Sequence, residues 1–203
     1  MELSASQLWM SRKECDAERI AEIVARAITG DRAAFEDIVL LHERRVLTLA
    51  YRLLGSKEDA QDAAQEVFLR AFKYLRRFDS SKPLEPWLVR MTVNVCRGAG
   101  RKRARSRSLF LQREDALHVD PTNSPHARLY AEEQKQLLYA ALEELGEKER
   151  TAVVLRDIEG FTTFEVAEIL GSAEATVRSQ ISVARLKIRK SIKRIKGGRD
   201  GLS

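Results

Sequence analysis

The chain has 203 residues, 44% of them hydrophobic, and a net charge of +6 from 36 Lys or Arg against 30 Asp or Glu. That is enough for one or two packed domains, and the sign of the charge suits an anionic partner. Gly (10) and Pro (4) are few, no apolar run approaches a membrane span, so direct membrane insertion is not expected, and Cys15, Cys96, His42, His118 and His126 form no disulfide framework or metal-ligand spacing.

The first 14 residues read as a loose lead-in without the basic start and apolar core of a secretory signal, which gives a cytoplasmic expectation. Cys15–Ile28 is an amphipathic helix with Ile20, Ile23, Val24 and Ile28 on one stripe. Gly30 ends it and Asp31 is placed to cap the next helix. From Asp31 to Leu54, the residues Phe35, Ile38, His42, Val46, Leu49 and Leu53 recur at helical spacing, and His42 on that stripe reads as a hydrogen-bonded core residue. Gly55 stops this helix, and Ser56 opens a third that runs to Phe78. One face of it carries Ala60, Ala64, Val67, Ala71, Tyr74 and Phe78; the other carries Glu58, Asp59, Asp62, Gln65 and Glu66. An acidic first half either matches the helix dipole or docks on a basic partner.

A loop with two prolines, Asp79–Pro86, precedes a helix from Trp87 to about Ala104. There Trp87, Met91 and Val95 (or Leu88 and Thr92) face inward, while Arg90, Asn94, Arg97 and Arg101 share another face. Arg97 to Arg107 holds six basic residues and no acid, a run suited to following a phosphate backbone. Ser106 to about Pro125 is polar and aperiodic, with Pro121, Asn123 and Pro125. A linker of that length fits between two domains rather than inside one, which divides the chain into 15–105 and 126–196.

In the second domain, His126–Leu145 repeats Leu129, Glu133, Leu137, Ala140, Ala141 and Leu145 near helical spacing. Gly146 breaks it, and Glu147–Ile158 forms the next helix. Thr163–Leu170 then presents Val166, Ala167 and Leu170 on one face. Gly171 supplies a turn whose left-handed backbone is cheap for glycine, and Ser172 is placed to cap the following helix. That last helix turns Val177, Ile181, Ala184 and Ile188 inward, and from Ala175 to Arg199 it has nine Lys or Arg and no acid. This is a helix-turn-helix pattern whose second helix can enter the major groove of DNA.

AFEDIVLLHERRVLTLAYRLLGSKEDAQDAAQEVFLRAFKYLRRFD and PWLVRMTVNVCR in the first half, with ALEELGEKERTAVVLRDIEGFTTFEVAEILGSAEATVRSQISVARLKI in the second, are together similar to the extracytoplasmic-function (ECF) group of sigma-70-family RNA polymerase sigma factors. The resemblance runs from about Asp31 to Lys193, apart from the linker. It implies an all-α protein of two small helical domains joined by a flexible linker, corresponding to the family's regions 2 and 4. It implies no catalysis and no cofactor, but binding to core RNA polymerase and promoter-specific initiation. Under it, Asp59, Asp62, Gln65 and Glu66 dock on the clamp helices of the polymerase's largest subunit, and the polymerase flap is a second contact. Phe78, Lys82, Trp87, Arg90, Asn94, Arg97 and Arg101 meet the −10 element; Thr176, Arg178, Ser179, Ser182 and Arg185 meet the −35 element. An anti-sigma partner is also implied.

The chain departs from the family where GTVRSR followed by HRAR is usual. It has ATVRSQ followed by SVAR, so Ala175, Gln180 and Val183 leave the reading helix two cations short. Two other readings stand beside the sigma factor. A helix-turn-helix regulator binding operator DNA without joining polymerase would carry a sensory or receiver domain, and residues 1–105 lack the strand–helix alternation of a receiver. An adaptor that binds polymerase without reading DNA would have no use for the basic last helix.

Overall fold

The computed structural model of the protein describes residues 18–106 and 125–200, with side chains described at 18–99 and 134–195. Most of the expected linker, the lead-in, the first residues of the expected Cys15–Ile28 helix, and the side chains of Arg101, Leu129 and Glu133 lie outside the described residues. The helices are α1 (residues 18–28), α2 (Arg32–Leu54), α3 (Lys57–Tyr74), α4 (Leu84–Ser106), α5 (Pro125–Glu143), α6 (Glu147–Val153), α7 (Thr163–Leu170) and α8 (Glu174–Asp200). A 3-10 turn, Leu75–Arg77, follows α3, and a π-helical turn, Val154–Ile158, follows α6. Among the described residues there is no strand.

The caps explain where the helices begin. Asp31 accepts the Ala34 N–H at 3.2 Å, and Ser56 Oγ accepts the Asp59 N–H at 3.3 Å. Thr162 Oγ1 accepts the Glu165 N–H at 3.2 Å, and the Glu165 carboxylate accepts the Thr162 N–H in return. Each supplies an acceptor to an N–H that the first helical turn leaves without one. Gly55 and Gly171 close α2 and α7 at φ of +73° and +59°, a backbone strained for other residues. Ser172 does not cap α8. Its N–H donates to the Ala167 carbonyl at 3.0 Å and completes the turn after α7, and α8 starts only at Glu174.

A first core gathers Ile23, Val24, Ile38, Val46, Val67, Ala71, Leu75 and Leu88. Tyr74, on the expected inward stripe of α3, is 40% exposed, because the helix tightens into the 3-10 turn just after it and Leu75 points inward instead. Helix α4 starts three residues ahead of Trp87. Pro86 sits in its first turn, where a missing N–H costs nothing. This helix is buried on two sides. Leu88, Thr92, Val95 and Cys96 are buried, with Leu88, Val95 and Cys96 in the first core; Val89 and Val93 join Leu49 in a second core with Leu142, Leu145, Val154, Leu155, Val166 and Val177. Burial pushes the Cys96 thiol up to about 12, so this cysteine packs as a small apolar group without thiolate reactivity.

The two halves therefore share one apolar seam, and polar groups cross it. The Glu159 side chain, 6% exposed, pairs with Arg52 and, at 3.4 Å, with Arg45, which also reaches Glu85 at 2.8 Å. Tyr51 and Tyr139 meet edge to face with ring centroids 5.0 Å apart. Arg150 donates to the carbonyls of Leu142 (2.7 Å), Glu143 (2.9 Å), Leu145 (3.4 Å) and, across the seam, Leu53 (3.0 Å). Replacing Arg150 by Ala leaves these helix-end carbonyls without their charged donor. It lowers the unfolding free energy by about 3 kcal/mol in denaturant titration, and Arg150→Lys, lacking the planar fork, restores only part of it.

His42 is buried beside Arg45, Glu85, Leu88 and Thr92, and its Nε2 has no partner among the described residues. Burial holds its pKa below the ordinary 6.5, with Glu85 pulling it up and Arg45 pushing it further down. The unfolded chain takes up a proton near pH 6.5 that the folded chain refuses. This contribution to stability is thus complete above that pH and is lost as the pH falls through the lower folded value. Urea midpoints measured at about pH 7.5 and about pH 5.5 should fall more for the wild type than for His42→Leu.

Candidate nucleic-acid interface

Three surfaces carry the candidate residues. On α3, Asp62 and Gln65 are exposed, Asp59 and Glu66 half-buried, and the Glu66 carboxylate accepts from Arg70 Nε at 2.6 Å. All four lie opposite the buried Ala60, Val67 and Ala71. Two apolar residues that polarity alone passes over continue the same face: Leu69 is 67% exposed and Phe72 55%. Asp62, Gln65, Leu69 and Phe72 succeed one another at steps of three and four, which makes one ridge. The signal was available in their falling off the buried stripe. Phe72 leans edge-on against Phe35 at 5.0 Å, so its ring is partly fixed.

The second surface runs from the loop after α3 into α4. Asp79 Oδ1 accepts from the Ser81 N–H (3.1 Å) and Oγ–H (2.6 Å), bonds that hold its carboxyl below the usual carboxylate range. The Lys82 N–H donates to the Asp79 carbonyl at 3.0 Å, and its exposed ammonium lies 3.7 Å from the Asp79 carboxylate. Phe78 and Trp87 are half-buried on the first core, their rings 5.1 Å apart and tilted by 50°. Arg90 and Asn94, one turn apart on α4, are both exposed. Arg97 is turned towards the second half of the chain, its Nε 3.6 Å from Glu147 at the start of α6. The Arg101 side chain lies outside the described residues.

The third surface is the outer side of α8. Thr176, Arg178, Ser179, Ser182 and Arg185 are all exposed, opposite the buried Val177, Ile181 and Ala184. Several cations of this helix are held by acids. Arg178 lies 3.6 Å from Glu174. Arg185 makes two bonds to Asp157, at 2.8 and 2.6 Å, which raise its pKa. Lys187 donates to both Glu149 oxygens, at 2.9 and 2.7 Å, and so holds that carboxyl low. Arg194 and Ser191 both reach Glu144. The Arg185 fork therefore seats α8 on the π-helical turn, and it meets a base only by leaving Asp157. Gln180 is half-buried with its Oε1 enclosed, so that departure lies to the side of the outer face. Val183 and Leu186, in contrast, stand out on it.

Among the described residues no group of His, Cys, Asp and Glu could hold a metal ion, and no helix is long and apolar enough to cross a membrane. The arrangement offers one acidic and apolar ridge for a protein partner, one face of Arg, Asn and aromatic groups, and one helix for a duplex groove.

Residues 38–106 match the family model for Sigma-70 region 2, and residues 135–188 that for Sigma-70, region 4. Similar curated proteins include the ECF RNA polymerase sigma factor SigE of Mycolicibacterium smegmatis, 38% identical over 165 residues; the match takes in 79% of this chain but spans only 63% of that longer protein. The ECF RNA polymerase sigma factor SigW of Bacillus subtilis is 30% identical over 173 residues, 81% of this chain and 91% of the relative. Among solved structures, the sigma factor RpoE in complex with the anti-sigma factor NepR from Bartonella quintana aligns with a TM-score of 0.65 at 26% identity, covering 78% of this chain and 96% of that one. CnrH in complex with the cytosolic domain of CnrY aligns with a TM-score of 0.59 at 26% identity, covering 85% and 96%.

Proposed function

This chain belongs to the ECF RNA polymerase sigma factors, and we propose that it binds core RNA polymerase and directs it to a subset of promoters. The observation that carries the reading is the presence, on one chain, of both a region 2 and a region 4 match, each with an exposed face of the right chemistry. The region 2 match disfavours an operator-binding regulator that never joins polymerase. Members of the family regulate transcription rather than catalyse reactions. Their work is done with the polymerase on the chromosome, which supports a cytoplasmic protein.

In this reading the α3 ridge of Asp62, Gln65, Leu69 and Phe72, with Asp59 and Glu66 beside it, docks on the clamp helices of the largest polymerase subunit. Carboxylates steer the encounter with a basic surface, and the two apolar side chains supply area to bury. The region 4 domain meets the flap and lays α8 in the major groove at the −35 element. At the −10 element, opening the duplex requires bases to leave the stack, which costs a few kcal/mol per base. Stacking on aromatic side chains recovers about 1–3 kcal/mol per base. Trp87 and Phe78, resting on each other at the start of α4, form a preformed aromatic surface for that purpose. Asn94 can bond a base edge, and Lys82, Arg90, Arg97 and Arg101 hold phosphates, Arg97 after releasing Glu147. The structural neighbours bound to anti-sigma partners support an anti-sigma factor as a further partner of this chain.

Run-off transcription on a genomic promoter pool, with core polymerase and with or without the chain, tests the reading: transcripts from specific promoters should depend on the chain. Absence of such transcripts together with absence of a stable polymerase complex would overturn it. Combining Asp62→Lys with Glu66→Lys should abolish polymerase binding while the folded chain still binds −35 duplex. If duplex binding disappears too with the helical circular dichroism unchanged, the assignment of α3 to polymerase is wrong.

A further inference from the structure

The outer ridge of α8 carries the signal that the reading above leaves unused. Thr176, Ser179, Val183 and Leu186 follow one another at steps of three, four and three, so they line one ridge away from the buried Val177, Ile181 and Ala184. None of the four is charged. Val183 is 39% exposed and Leu186 54%, uncovered apolar groups on a helix with no acid beyond Glu174 until its last residue. Arg178 borders the ridge on one side and Lys190 lies beyond it, both exposed. An uncharged line that includes two apolar groups, beside the exposed Arg178 and Lys190, fits a polyanion that itself presents methyl groups. The major groove of DNA does so at a single place, the C5-methyl of thymine.

The lengths agree with this. Thr176 to Val183 rises about 10 Å along the helix, roughly three base-pair steps of ~3.4 Å and within a groove ~12 Å wide. Val183 is the tenth residue of α8, still in the part of a recognition helix that meets base edges; Leu186 is one turn further, at the groove rim. Resting on the promoter-reading function above, the geometry points to Val183 as a specificity-determining residue that reads a thymine methyl in the −35 element. A cation at this place would instead seek the O6 and N7 acceptors of guanine. Val183 can satisfy neither those nor the amino group of cytosine or adenine. Such a base would lose its water on docking without gaining a hydrogen bond, whereas thymine buries methyl against methyl.

The test uses holoenzyme reconstituted from core polymerase and the full chain, with a promoter library randomised across the −35 element. The wild type should enrich thymine at one position, and Val183→Arg should enrich guanine there. Replacing that thymine by deoxyuridine removes only the methyl group. It should weaken wild-type binding about fourfold, the equivalent of one buried methyl, and leave Val183→Ala binding unchanged. The inference is overturned if deoxyuridine is neutral for the wild type, or if Val183→Ala loses the same factor. It is also overturned if the holoenzyme initiates with no −35 preference, which leaves the polymerase-binding function standing. Unchanged selection by Val183→Arg accompanied by loss of an anti-sigma complex would assign the ridge to a protein and likewise overturn it. A chain that forms no holoenzyme overturns the proposed function and this inference with it.

Discussion

A single guanidinium, that of Arg150, gathers the carboxyl ends of two helices that lie far apart in the chain. The carbonyls of Leu142, Glu143 and Leu145 come from the end of α5 and the turn after it, and that of Leu53 comes from the end of α2. The last turns of helices carry unsatisfied carbonyls and the negative end of the dipole, so a planar cation with five donors suits the position better than any other side chain. Because α6 begins beside these ends, Arg150 sets where α6 lies against both halves. The helix-turn-helix is hung from that placement.

Glu159 complements this from the far side of α6. Its carboxylate is almost fully enclosed, and taking a carboxylate from water is costly unless cations and donors replace the water. Arg45 and Arg52 do so from α2. The π-helical turn between α6 and Glu159 also carries Asp157, which holds Arg185 on α8. One short irregular segment thus ties the first half of the chain, through α6, to α8, the second helix of the helix-turn-helix. The two acids look opposite ways: Asp157 to α8 and, two residues on, Glu159 to α2.

The division of labour on α8 follows from the same packing. Acids of the same half engage Arg185, Lys187 and Arg194, so these cations hold the helix in place. The outer ridge is left to Thr176, Ser179, Val183 and Leu186. Positive charge counted along the sequence overstates what is directed outward, since a cation paired at 2.6 or 2.7 Å is already committed.

The helices among the described residues, the capping residues Asp31 and Ser56, the turn at Gly171 and the inward stripe Val177–Ile181–Ala184 were legible in the sequence, because each depends on neighbours within a turn or two. The same holds for the acidic face of α3. Tyr74 and Ser172 were misplaced by one residue, since the 3-10 tightening after α3 and the closing bond to Ala167 follow from how the next segment packs. The second buried side of α4, with Val89 and Val93, left no mark in a single-stripe pattern, because it exists only where another half of the chain covers it. Arg97 and Arg185 read alike as cations on exposed faces, yet each meets an acid from a distant helix. By itself, then, the sequence determined the elements and their local faces, which are matters of periodicity and capping. Which charges are spent inside the molecule and which remain for a partner was decided by the tertiary structure, because an ion pair depends on distance in space and not on distance along the chain.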